Sequence, residues 1–315
     1  MKNNVSVNAV KAKKTKSAAV EKRKDLLKIY SFLVLPIVGF CVFSLYPILS
    51  NLVWSFTAYN KITMKFVGLD QYIRIFTHAP TYWKTVWNAV VIGFVKLIVE
   101  LPLSLVLSYV LTRGIRGSNF FKSAFMLPTV IGGSVIAMIF SFMFSVNNGF
   151  VNVTLMNLGI IERPLNWFGE RNLAILMLWI ASIWNNFGTN MLYFMTGIVN
   201  VPADLYESAR IDGANSVQEF FYITLPNISK LTKVVIMLAI IGSMKDYTLP
   251  MLLTNGGPAN GTNVVMLYIY NYFFNGASEG GLLDYGYAAA MGIVTSILVL
   301  IITLIYNKIN SIDNN

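Results

Sequence analysis

The chain has 315 residues, of which 56% are hydrophobic and only 12% charged; soluble domains carry about 25% charged residues. That balance excludes an ordinary soluble domain and predicts an integral membrane protein. The formal net charge of +10 is uneven: residues 1–28 hold nine Lys/Arg against Glu21 and Asp25, which is +7 of it. A basic cluster at the head of an apolar chain reads as a cytoplasmic anchor of the positive-inside kind, with no nucleic-acid partner.

In chain order, residues 1–28 form a basic cytoplasmic tail, and residues 29–310 form an all-α, polytopic membrane domain. Its first apolar run is too long for a secretory signal, and no small-residue cleavage site follows it. Six segments have the roughly 20 apolar residues a crossing requires: 29–51, 88–111, 121–144, 173–198, 233–253 and 287–306. Pro36, Pro47, Pro102, Pro128 and Pro250 fall inside them, which membrane helices tolerate. Six crossings put both termini on one side, the cytoplasm by the basic tail. The loop at 113–122, with Arg113, Arg116 and Lys122, agrees; the loop at 57–86, with Lys61, Lys65, Arg74 and Lys84, agrees less well. Asn/Gly-rich stretches at 147–159 and 254–263 predict outer turns. Tyr268, Tyr270, Tyr272, Phe273 and Phe274 are expected as an aromatic belt at the lipid–water boundary, with a ligand-facing aromatic surface as the alternative. The single histidine, His78, and single cysteine, Cys41, exclude a metal site built mainly from those ligands.

Between the fourth and fifth segments the apolar sequence gives way to LYESARIDGANSVQEFFYITLP, residues 205–226. Pro202 and Asp204 predict a helix start. Gly213 predicts its end, through a left-handed position that glycine adopts at little cost. Ser216 and Glu219 have capping-box spacing for a second helix. Val217, Phe220, Phe221 and Thr224 would share its apolar face, and Pro226 would stop it. The segment is net acidic, unlike the Lys/Arg-rich helices that lie on lipid. It predicts a helix-turn-helix that docks on a protein.

Glu207-Ser208-Ala209, then Asp212-Gly213-Ala214, with Leu225-Pro226 downstream, resembles the EAA loop of ABC-importer permeases. The stretches FVGLDQY (66–72), MLPTVIG (126–132) and LLTNGGP (252–258), with Trp167 and Trp184, resemble the carbohydrate-uptake, maltose-type branch. The likeness covers residues 29–310, with Ser208 in place of the usual alanine. It implies a permease subunit in the bacterial plasma (inner) membrane, with 201–226 as the cytoplasmic loop that couples to a separate ATPase. The residues it assigns to coupling are Glu207, Ser208, Ala209, Asp212, Gly213, Ala214, Leu225 and Pro226. The implied partners are a second, different permease, two ATPase subunits, an extracytoplasmic solute-binding protein, membrane lipid and a sugar, an oligosaccharide by preference. The chain itself is expected to bind no cofactor and to be no enzyme: ATP and Mg belong to the ATPase subunits, and no G-x-x-x-x-G-K-[ST] occurs here.

Polar residues within membrane segments often mark a pathway. Asn186, Thr189, Asn190 and Tyr193 recur at helical spacing, with Asn185 beside them; Gly242, Ser243 and Asp246 sit in the next segment. The likeness places the substrate path near these positions. Interhelical hydrogen bonding is an equally open reading of the same residues. Lys96 and Glu100, four apart, predict an ion pair on one helix face. With Lys245–Asp246 they are the best support for the alternative, an ion-gradient-driven secondary transporter, against which stands the lack of paired broken-helix repeats. A membrane enzyme is disfavoured, because no nucleophile or paired-acid constellation is present.

Overall fold

The computed structural model describes residues 30–276 and 283–312. The basic tail lies outside the described residues. The fold is helical apart from one short antiparallel hairpin, β1 (Thr57–Tyr59) and β2 (Met64–Phe66), with Ala58 opposite Lys65. Helix α1 (Tyr30–Trp54) has no buried residue in its apolar window, and meets the rest of the chain at its C-terminal end, where Trp54 packs edge-on against Tyr285. After the hairpin come α2 (Asp70–His78) and the long α3 (Pro80–Thr112).

The third predicted crossing is two helices, α4 (Ser118–Ile131) and α5 (Gly133–Met143), bent by 96°. The bend falls on Gly132, whose φ of 80° and ψ of 159° belong to a region that only glycine enters without strain. The 147–159 stretch, expected as a turn, holds α6 (Phe150–Asn157). Asn152 is fully buried and joins it to the following loop: its amide donates to the Ser145 and Leu165 carbonyls, and its oxygen accepts from Leu165 N and Trp167 Nε1. Helix α7 (Arg171–Val199) then packs along α3, where Ser104 and Ser108 donate to the Phe187 and Met191 carbonyls.

The charged segment forms α8 (Ala203–Ile211) and α9 (Ser216–Asn227), followed after a 75° bend by α10 (Ser229–Lys245). Helix α11 (Thr248–Thr254) continues beyond a break at Asp246–Tyr247. The aromatic run 268–274 is helical, with Tyr272 buried and Phe274 on the surface. It lies in helix α12 (Val265–Phe274), which packs on α3 and on α13 (Tyr285–Ile312) in the largest core, with Tyr272 and Tyr287 buried. Tyr247 stacks on Tyr270, and Tyr268 tilts against Tyr272. Ring-to-ring packing helps to hold this cluster together.

Three turns widen to i→i+5 hydrogen bonding, at Cys41–Leu45, Lys96–Glu100 and Phe220–Thr224. Each ends two residues before a proline, Pro47, Pro102 or Pro226. Proline lacks the N–H for the carbonyl four residues back and its ring crowds that carbonyl. A widened turn just before it absorbs the defect and lets the helix continue. Pro226 therefore does not stop its helix: Leu225 is helical and the helix runs to Asn227.

Among the described residues, three helices are long and apolar enough to cross a membrane, or up to five if each bent pair counts as one crossing. Those five are α1, α3, α4–α5, α9–α10 and α13. The fourth predicted crossing falls on α7, which is 29 residues long but too polar to be counted with them.

Candidate functional site

The face that makes α7 polar opens into a cavity. About 420 Å³ in volume, it lies between α3, α7 and α10 with Gly133, Thr248 and Leu249 at its edge; small-molecule sites span about 300–1,000 Å³. Asn185, Asn186, Thr189, Asn190 and Tyr193 line one side, and Gly242 and Asp246 the other. Seven of the eight residues picked from the sequence for the path thus share one surface. Ser243 does not line it: buried, bonded to the Ala239 carbonyl, it packs where α10 crosses Gly93 of α3.

Sequence reasoning missed the cavity's third wall. Lys96 and Glu100 line it, but they do not form the expected pair with each other. Lys96 reaches Asp246 on α10 at 3.8 Å, and Asn190 of α7 donates to Glu100 Oε1 at 2.6 Å. Both contacts leave a widened turn, whose side chains do not keep ideal α-helical spacing. Glu100 is 2% exposed and its second oxygen has no hydrogen-bond partner. The signal was in the sequence, as two opposite charges within an apolar segment; their partners are 90 and 150 residues away and needed the fold. Asn186 bonds its own helix, donating to the Ser182 carbonyl at 2.8 Å. Interhelical contacts thus engage Asn190 and Asp246, which also line the cavity beside Asn185, Asn186, Thr189, Tyr193 and Gly242. The chemistry on offer is amide, hydroxyl, carboxylate and ammonium groups around one cavity, suited to a ligand dense in hydroxyls.

At the other end of α7 the coupling-loop candidates assemble around one turn. Ala214 N–H donates to the Ala209 carbonyl at 2.9 Å, and Gly213 N–H to the Arg210 carbonyl at 3.1 Å, the paired bonds of a Schellman motif. Gly213 holds the left-handed position with φ of 83°. Ala209 and Ala214 are the half-buried residues of this turn, whereas Glu207, Ser208 and Asp212 are exposed. The backbone closes the turn, leaving the Asp212 side chain on the surface. Leu225 is half-buried and Pro226 exposed beyond the widened turn.

Two expectations for the second helix are corrected. The capping box is one residue earlier than expected: Asn215 Oδ1 accepts from Val217 and Gln218 N–H, and Gln218 Oε1 accepts from Asn215 N–H. Asparagine caps as well as serine, and the shift frees Glu219 to turn inward. The apolar face also divides. Thr224 is buried and Phe220 half-buried against Tyr109, but Val217 and Phe221 are exposed, as are Ile211 and Tyr222. The loop thus exposes apolar side chains as well as the acids Asp204, Glu207 and Asp212.

Residues 100–311 match the model of a family described as the binding-protein-dependent transport system inner membrane component. The chain belongs to that family. Its members are membrane components of importers fed by a binding protein, which favours that reading over the ion-gradient alternative. Among relatives, the probable ABC transporter permease protein YesP of Bacillus subtilis is 33% identical, over 92% of both chains. The arabinooligosaccharides transport system permease protein AraP of Bacillus subtilis is 33% identical, over 89% of this chain and 88% of its own. The lactose transport system permease protein LacF of Rhizobium radiobacter is 30% identical, over 84% of this chain and 87% of its own. The fold matches a crystal structure of a bacterial ABC transporter involved in the import of the acidic polysaccharide alginate. The TM-score is 0.77 at 22% identity, over 91% of this chain and 96% of that one.

Proposed function

We propose that this chain is one of two different permease subunits of an ATP-driven importer that carries a sugar, an oligosaccharide by preference, across the bacterial inner membrane. The observation that carries the reading is the cavity itself: a hydroxyl-matching, partly charged surface built from three apolar-segment helices, in a family fed by binding proteins. The names of AraP and LacF support a saccharide cargo. In this reading α7 is the sixth crossing, its polar face turned to the cavity instead of to lipid. Both termini are cytoplasmic, α1 faces lipid, and 29–310 is one membrane domain.

The loop at 201–226 is the input. Its exposed acids and apolar side chains fit a groove with a charged rim on an ATPase subunit. Glu207 makes the polar contact, and Gly213 and the two alanines hold the turn. ATP and Mg bind the two ATPase subunits, and an extracytoplasmic binding protein delivers the sugar. Closure of the ATPase pair moves the loop, and the helices rock about the cavity to expose it alternately to either side.

The test is uptake by the reconstituted importer with Asn186→Ala and Asp246→Ala, each checked for folding and assembly. Both are expected to lower uptake, Asp246→Ala more, because it also leaves Lys96 without its carboxylate. Unchanged sugar-dependent uptake in both variants would mean that the cavity is not on the path.

A further inference from the structure

The charged segment contains one acid that faces inward. Glu219 is 2% exposed, and Arg113 and Arg210 donate to its two oxygens, Arg210 at 3.0 Å. Arg210 belongs to the loop. Arg113 does not: it is the residue that ends α3. Around this contact α3 grips the loop further. Tyr109 of α3 donates to the Ser216 carbonyl at 2.7 Å and meets the Phe220 ring edge-on at 5.0 Å. The Arg113 guanidinium also donates to Tyr109 Oη and lies over the Tyr109 and Tyr206 rings.

The loop does not need these contacts to keep its own shape. The Schellman turn, the Asn215–Gln218 box and the Tyr206–Thr224 hydrogen bond of 2.9 Å all lie within it. What Glu219–Arg113 adds is a fastening to a different helix. That helix carries Glu100 and Lys96, two of the charged residues of the cavity. Glu100 is 13 positions from Arg113 in sequence, about 20 Å along the axis at 1.5 Å per residue. Of the two routes along the chain itself, the one into α10 passes through the 75° bend at Ile228, and the one back into α7 passes through the non-helical residues between Val199 and Ala203.

We propose that Glu219 is a positioning residue that pins the second coupling helix to the cytoplasmic end of α3, so that a push on the loop travels along α3 to the Glu100–Asn190 and Lys96–Asp246 contacts. The pin stays closed through the cycle, because opening it would leave Oε2 of a buried carboxylate unpaired, with only the exposed Arg210 still on Oε1. This rests on the loop's being the ATPase contact.

The test uses the complete importer in proteoliposomes with its ATPase subunits and binding protein, comparing Glu219→Gln, Arg113→Gln and the double variant. The readout is sugar moved per ATP hydrolysed, with assembly and unstimulated hydrolysis as controls. Each single variant is expected to assemble and hydrolyse ATP unstimulated, while sugar moved per ATP falls about five-fold or more, the lower range of coupling between sites. The double variant is expected to lose no more than the worse single one, since both remove the same contact, and Arg113→Lys to keep most of the coupling. Wild-type coupling in Glu219→Gln, or losses that multiply in the double variant, would overturn the pin. If Glu219→Gln fails to assemble, Tyr109→Phe decides: it removes only the hydroxyl that holds Ser216, so partial uncoupling supports the pin and full coupling overturns it. A wild-type complex whose hydrolysis ignores loaded binding protein would refute the importer reading itself.

Discussion

Replacing Gly213 separates two reasons for a glycine at the coupling turn. The residue sits at φ of 83°, and a Cβ built there meets nothing within 4 Å. Clearance is therefore no issue, and the cost of a side chain is conformational. An L-residue in the left-handed helical region is disfavoured by about 1–2 kcal/mol, which lowers the population of the native turn about 5–30-fold relative to alternatives. The two backbone hydrogen bonds from Gly213 and Ala214 would loosen, and α8 and α9 would lose their fixed angle. Gly213→Ala should leave the complex assembled and its thermal unfolding nearly unchanged, while sugar-stimulated hydrolysis and uptake fall. Asparagine enters this region more readily than other residues, so Gly213→Asn should retain more activity than Gly213→Ala. Gly213→Val, β-branched, should retain least. The assay is sugar-stimulated ATPase activity of the reconstituted complex, with melting curves on the same samples. If Gly213→Asn is as damaging as Gly213→Val, the backbone argument is wrong and some partner needs the empty space over the turn.

Three other substitutions probe packing. Gly188 of α7 would place a Cβ 2.4 Å from the Phe125 carbonyl oxygen, so Gly188→Ala must push α4 away and should cost about 1–3 kcal/mol, seen as a lower melting temperature. Gly242, at the cavity, has nothing within 4 Å of such a Cβ; Gly242→Ala should be neutral or stabilising by up to about 1 kcal/mol, and a drop in melting temperature would contradict the open space there. Asn152→Ala strips four hydrogen bonds from buried or half-buried groups, at about 1–3 kcal/mol for each group left unsatisfied. Limited proteolysis should then cut between Ser145 and Trp167 well before the wild type is cut there, and equal rates would show that Asn152 does not hold this region.

Much was readable locally because it is local physics. Hydropathy located the apolar helices, since a crossing segment must be apolar over about 20 residues. Gly213 and the alanines beside it marked the turn, because left-handed geometry selects residue types within four positions. The one-residue error in the capping box arose where Asn215 and Ser216 are both good caps; the tie was broken by Glu219, which two arginines draw inward. The helix within 147–159 was missed because turn-rich composition does not reveal that Asn152 has four partners, and aromatic composition alone does not show that Tyr272 and Tyr287 pack together.

What the sequence by itself determined is what periodicity and composition can carry: an all-α membrane chain, a polar stripe on α7, a compact charged helix-turn-helix, and the family motif that names its kind. What only the tertiary structure decided is which charges meet. Lys96 and Glu100 looked like partners at four residues' spacing, but they sit on a widened turn before Pro102, and their direct contacts are with Asp246 and Asn190 from two other helices. Glu219 was expected to cap its own helix with Ser216, and it is buried between α3 and α8. Electrostatic energy depends on distance and desolvation, and both are properties of packing that no stretch of sequence holds alone.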